Sequence, residues 1–106
     1  ELHTLANRVR RKHPSKQGRE REFDIVATDA TRFFLNETKS NPRMEYVREF
    51  IESLDEVFEY FPEYADRKLV AIFSSLSLPQ QVIDSLSAHG CYAMMMGEEH
   101  VEIVNG

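Results

Sequence analysis

The sequence predicts a mixed α/β domain in the order βββαβαββ, and three observations carry that expectation. The first forty residues hold aromatic and β-branched runs with two-residue alternation. Apolar residues from Val47 to Phe61 recur at three- and four-residue steps, the signature of a long amphipathic helix. A continuous apolar run, Leu69 to Phe73, then precedes a second, shorter helical stripe.

Leu5 to Lys12 alternates as a strand, and His13-Pro-Ser-Lys-Gln-Gly18 is a turn. Glu20 to Ala27 forms a second strand, with Phe23, Ile25 and Ala27 on one face and Glu22, Asp24 and Val26 on the other. A turn over Thr28–Thr31 leads to a third strand, Arg32 to Lys39. Asn41 fits an N-cap and Pro42 the first position of the long helix, which Pro62 ends. The run from Arg67 to Ser74 is apolar enough for a strand covered on both faces. Ser77 and Gln80 fit a capping box; Leu78, Val82, Ile83 and Leu86 give the next helix its buried stripe, and Gly90 its stop. Cys91–Met96 and His100–Val104 complete the sheet around Gly97-Glu98.

The composition, 42 % apolar and 29 % charged, suits one globular domain over residues 1–106 and excludes a disordered tail. A single cysteine, Cys91, excludes an intrachain disulfide or a cysteine zinc cluster. No apolar run approaches the ~20 residues that span a bilayer, and no signal-peptide pattern opens the chain, so a soluble cytoplasmic protein without a membrane partner is expected. The chain opens at Glu1 without a methionine, which suggests the C-terminal part of a longer protein. Charge is uneven: of a net −5, the segment from Arg8 to Arg21 carries +6 and the remainder −11. A basic arm on an acidic body is a footprint for phosphate, with Arg8, Arg10, Arg11 and Lys12 as candidate nucleic-acid contacts. The alternative is a solvated hairpin whose cations blunt a sheet edge.

Chemistry concentrates in Asp24 and in Glu37-Thr38-Lys39. On a strand, Glu37 and Lys39 share a face and Thr38 takes the other. If their two strands pair across Thr28–Thr31, the carboxylates of Asp24 and Glu37 approach one another. Two acidic oxygens on rigid strands suit a hard cation such as Mg²⁺, and a neighbouring lysine can orient an attacking water or offset developing charge. On an exposed face the same three residues would be an ordinary ion-pair set worth ~0–1 kcal/mol.

These residues resemble the PD-(D/E)XK signature of restriction-endonuclease-like nucleases, and the order of elements resembles that family's core without its first helix, which is missing or reduced to Glu1 and Leu2. The chain is also similar to a prokaryotic subgroup in which such a domain follows a helical or coiled-coil region, through stretches such as Phe61-Pro-Glu-Tyr64 and Met96-Gly-Glu-Glu-His-Val-Glu-Ile-Val104. The resemblance implies a mixed central sheet flanked by helices and a Mg²⁺- or Mn²⁺-dependent hydrolase acting on nucleic acid, with DNA expected. It implies that Asp24, Glu37 and the Thr38 carbonyl bind metal and that Asp24, Glu37 and Lys39 are catalytic. Two departures stand: Phe23 occupies the proline position, and the first helix's acid is lacking, a place that Glu22 is positioned to take.

A second class of function is a catalytically silent module of the same fold that forms a homodimer or binds a partner. His3, His13, His89 and His100 have no metal-ligand spacing and read as surface or helix-end residues. Met94–Met96 read as strand packing, with a partner patch as the alternative, and Cys91 as buried.

Overall fold

The structure, a computed structural model, describes residues 3–106, with side chains from residue 8 onward apart from residue 25. The truncated first helix expected at Glu1 and Leu2 lies outside the described residues. Strands β1 (His3–Lys12), β2 (Glu20–Thr28) and β3 (Arg32–Thr38) form an antiparallel meander. A helical segment leads to β4 (Lys68–Ser75), parallel to β3. Helix α3 (Gln80–Ala88) leads to β5 (Tyr92–Met96), parallel to β4, and β6 (Val101–Ile103) turns back antiparallel to β5. The result is one six-stranded mixed sheet whose strand order follows the sequence.

That order decides where the helices go. Strands β3, β4 and β5 advance in one direction, so two crossovers of the usual right hand bring both helical layers to the same face. Helix α1 (Met44–Ser53) and α3 accordingly touch one another. On this face Phe50 of α1 lies 5.7 Å from Phe73. Phe33 is surrounded by Phe58, Phe61 and Tyr64 at 5.6, 5.1 and 5.2 Å. Each such aromatic pair adds ~0.5–1.5 kcal/mol to the area it buries.

The opposite face has less cover than the apolar run of β4 predicts. Ala71, Phe73 and Ser75 are buried, but Val70 and Ile72 on the other side are half-buried, as is Phe34 beside them. Apolar continuity therefore signals parallel pairing on both edges of β4, not helices on both of its faces.

The long helix is not continuous. Its first residue is Met44, after Arg43 and not after Asn41, whose carbonyl instead accepts the Arg43 amide at 3.0 Å. It breaks at a 3₁₀ turn, Leu54–Glu56, before α2 (Val57–Tyr60). Just before the break, the Ser53 hydroxyl donates to the Phe50 carbonyl at 2.6 Å, a local bond that competes with the helical ladder. The redirected segment brings Tyr60 and Phe61 to 5.8 and 5.0 Å from Phe23. Helix α3 likewise begins after Pro79 with no side-chain cap, so Ser77 does not close a capping box. Gly90 does stop it, at φ 72°, with the Cys91 amide reaching back to the Leu86 carbonyl at 2.9 Å.

Other expectations divide. Cys91 is buried. Met94–Met96 are half-buried to exposed, because the buried anchor of β5 is Ala93 and the outer neighbour of these residues, β6, is itself exposed. His13 is no surface residue: it is buried, its Nδ1 accepts the amides of Ser15 and Lys16 at 3.2 and 3.0 Å, and Nε2 meets Glu59 at 3.0 Å. Among the described residues no helix is long and apolar enough to cross a membrane.

Candidate functional site

The hairpin of β2 and β3 is pinned at its turn and opens at its other end. At the turn, Asp29 Oδ1 accepts the amides of Thr31 and Arg32 at 3.0 and 2.7 Å. Arg67, just before β4, donates to the Thr28 hydroxyl and to the Asp29 carbonyl. From there the ladder runs to Ile25 opposite Asn36 and ends, although β3 continues to Thr38.

Past that point Asp24 replaces the backbone. The next step of the register sets Asp24 across from Glu37, and Asp24 Oδ2 accepts the Thr38 amide at 3.0 Å. Strict alternation fails here, which corrects the two-face reading of β2. Phe23 and Val26 are both buried although their numbers differ in parity. Arg8, flanked by residues that pair with Phe23 and Ile25, has φ 53°, a left-handed conformation that costs a non-glycine residue ~1 kcal/mol or more. Both strands thus depart from regular pleating at the level of Asp24.

Glu37, Thr38 and Lys39 are held from the other side by β4. Thr38 pairs with Ser74, and the Lys39 amide donates to the Ser74 carbonyl at 2.9 Å. A side-chain relay reinforces this: the buried Ser74 hydroxyl donates to Asn36 Oδ1 at 2.5 Å, and Asn36 Nδ2 donates to the Thr38 hydroxyl at 2.8 Å. Lys39 Nζ lies 3.7 Å from Glu37 Oε2 and 5.1 Å from the centre of the Tyr46 ring on α1. The three sequence-predicted residues therefore share one site, at the C-terminal ends of two parallel strands where α/β sheets commonly bind ligands.

Electrostatics mark Glu37. Burial pushes its carboxyl up from 4.5 to about 7, the neighbouring charge of Asp24 adds to the rise, and Lys39 opposes it. Two crowded carboxylates with a lysine at 3.7 Å form an anion-rich donor set that a divalent cation would relieve. Among the described residues no group of three His, Cys, Asp or Glu side chains is arranged around one point. Glu22 is exposed, 3.5 Å from Arg10, and adds no third carboxylate to that point.

The site opens into a cleft of about 470 Å³ whose other wall is α1. Tyr46, Glu49, Glu52 and Glu56 line it, so the acidic side of this helix walls the site. Their spacing of three and four from Tyr46 was the signal available. Arg19 and Arg21 line it too. The candidate arm residues lie elsewhere: Arg8 and Lys12 are exposed, and Arg10 pairs with Glu20 at 3.2 Å. Arg11 pairs with Glu63 at 2.8 Å while stacking 4.4 Å over Phe61. Comparison with known families, with curated proteins and with solved structures returns no match for this chain.

Proposed function

We propose that this chain is a PD-(D/E)XK-type domain that hydrolyses phosphodiester bonds of nucleic acid, DNA in the first instance, with Mg²⁺ or Mn²⁺. The observation that carries the reading is the convergence of Asp24, Glu37 and Lys39 at the open end of the β2–β3 hairpin, with Thr38 held between Asp24 and β4. Asp24, Glu37 and the Thr38 carbonyl would hold the cation. With two carboxylates as its side-chain ligands it would keep several waters, as Mg²⁺ prefers. Bound there, it would supply Lewis acidity toward a phosphoryl oxygen and acidify a coordinated water.

The chain's own residues do the rest. Lys39, on the same strand face as Glu37 and over the Tyr46 ring, orients the water and offsets charge that builds on the phosphate. The relay from Ser74 through Asn36 to Thr38 fixes the segment between the two catalytic side chains. The restriction-endonuclease-like arrangement of the sheet is part of the same proposal. Its test is plasmid and single-stranded DNA cleavage in Mn²⁺, Mg²⁺ or EDTA by wild type and Lys39→Ala. Metal-dependent cutting that disappears in Lys39→Ala is expected; equal cutting by both proteins overturns the role of Lys39.

One observation favours a second reading, a silent module that pairs with a copy of itself. The sheet face away from the helices keeps Phe34, Val70 and Ile72 half-buried and Tyr92 and Ile103 exposed at 43 % and 42 %. Light scattering across a concentration series, together with calorimetry showing no Mn²⁺ uptake, would favour it over hydrolysis.

A further inference from the structure

We infer that Arg21, and not the outer cations of the basic arm, anchors a backbone phosphate of the bound strand beside the reacting one; the inference rests on the nuclease reading for the identity of its ligand. Most cations of the arm are already committed. Arg10, Arg11, Lys16 and Arg19 lie within ion-pair distance of glutamates, and Arg19 holds both oxygens of Glu56 at 3.0 and 2.8 Å. Arg21 is in no ion pair among the described residues. Its guanidinium lies 5.8 Å from the Tyr60 ring centre, and its Nη1 is buried without a hydrogen-bond partner. A buried guanidinium nitrogen left unpaired is costly, and the planar fork of donors matches the oxygens of a phosphate.

Position selects which phosphate. Arg21 lines the same cleft as Glu37 and Lys39. It precedes Asp24 by three strand residues, or ~10 Å at ~3.3 Å each, so it reaches a neighbour of the cleaved phosphate and not that phosphate itself. Charge sets the condition. Glutamates outnumber cations five to three along the cleft, so its lining is acidic and a divalent ion offsets that charge. Wild type is therefore expected to bind DNA here with Mg²⁺ and weakly in EDTA.

The experiment removes the need for both metal and turnover. Asp24→Asn/Glu37→Gln removes both carboxyl groups at the site without changing shape, so binding of a short fluorescein-labelled DNA duplex is measured by anisotropy in EDTA across a salt series. Adding Arg21→Gln is expected to weaken binding about tenfold and to lower the steepness of log K against log[salt] by about 0.9, the effect of one lost phosphate contact. Arg21→Lys, which keeps charge and stem, is expected to restore the steepness, and Lys68→Gln, an equal charge change at the start of β4, to alter neither. Circular dichroism checks that each variant is folded. Unchanged affinity and steepness in Arg21→Gln overturns the inference, as does an absence of binding by Asp24→Asn/Glu37→Gln. The nuclease reading fails separately: Arg21-dependent binding without cleavage by wild type in Mg²⁺ removes hydrolysis and keeps the anchor, whereas cleavage with Arg21-indifferent binding removes only the anchor.

Discussion

Glu37→Gln is expected to stabilise the metal-free protein at neutral and alkaline pH, and the size follows from the site. In the folded chain the Glu37 carboxyl keeps its proton to about pH 7; an unfolded glutamate loses it near 4.5. Between those values the folded state binds more protons, so stability falls as pH rises through the window and the deficit is complete above it. The gap corresponds to about 3 kcal/mol at ~1.4 kcal/mol per pH unit. Glutamine keeps the shape and removes the charge, while forfeiting a 3.7 Å contact with Lys39 worth ~0–1 kcal/mol. The net expected gain is ~2–3 kcal/mol at about pH 8, a rise of roughly 10 °C in Tm for a domain this size, and close to zero near pH 4.

Urea unfolding of wild type and Glu37→Gln in EDTA at the two pH values measures this directly. Repeating it in Mn²⁺ separates site from scaffold. A cation held by Asp24 and Glu37 stabilises wild type by ~2.7 kcal/mol at a hundred times its Kd and leaves the variant nearly unmoved, so the order of stabilities closes or reverses. Equal stabilities at both pH values would refute the account of a crowded, buried carboxyl, and equal stabilisation of both proteins by Mn²⁺ would refute Glu37 as a ligand.

Three other perturbations have definite outcomes. His13→Phe leaves the amides of Ser15 and Lys16 without the ring nitrogen they donate to, and is expected to cost ~1–3 kcal/mol in urea unfolding; an unchanged midpoint would remove His13 as the organiser of its loop. Ser74→Ala takes from Asn36 the hydrogen bond on its Oδ1, so a loss of ~1–3 kcal/mol is expected, accompanied by weaker Mn²⁺ uptake if the relay orients Thr38. The Cys91 thiol is pushed up to about 11 by burial, so native protein should react with a disulfide reagent only as fast as it opens, and rapid labelling at neutral pH would contradict its placement in the core.

Element order was legible because it depends on periodicity alone. Val47, Phe50 and Val57 repeat at helical spacing and are buried, and Leu69–Phe73 is a central strand. Tertiary contacts decided the remainder. The stripe from Val47 to Phe61 bends at Ser53–Glu56 because Tyr60 and Phe61 must reach Phe23, a partner more than thirty residues away in sequence. The caps were misplaced for a related reason: Asn41 and Ser77 have capping side chains, but Arg43 and Pro79, with backbones already extended at ψ 143° and 149°, occupy the cap positions.

The site divides along the same line. Glu37 and Lys39 were legible together because β3 keeps its two-residue repeat along β4, to which the Lys39 amide is still bonded. Asp24 was legible as a residue type, but its orientation was not, since the pleat fails at the level where Arg8 adopts a left-handed backbone. That failure has a chemical use. A carboxylate in a regular ladder would project from the sheet and leave the Thr38 amide to a backbone carbonyl; with the ladder stopped at Ile25, the amide falls to Asp24 Oδ2 instead. Regularising the strand is therefore expected to separate stability from site chemistry. Arg8→Gly accommodates the left-handed backbone without its steric cost and should stabilise the fold by ~1 kcal/mol with Mn²⁺ uptake retained. Arg8→Val disfavours that backbone and presses β1 toward regular pairing opposite Asp24, so Mn²⁺ uptake should weaken by more than the loss of stability explains. Unchanged uptake in Arg8→Val would show that the irregularity in β1 has no part in placing Asp24.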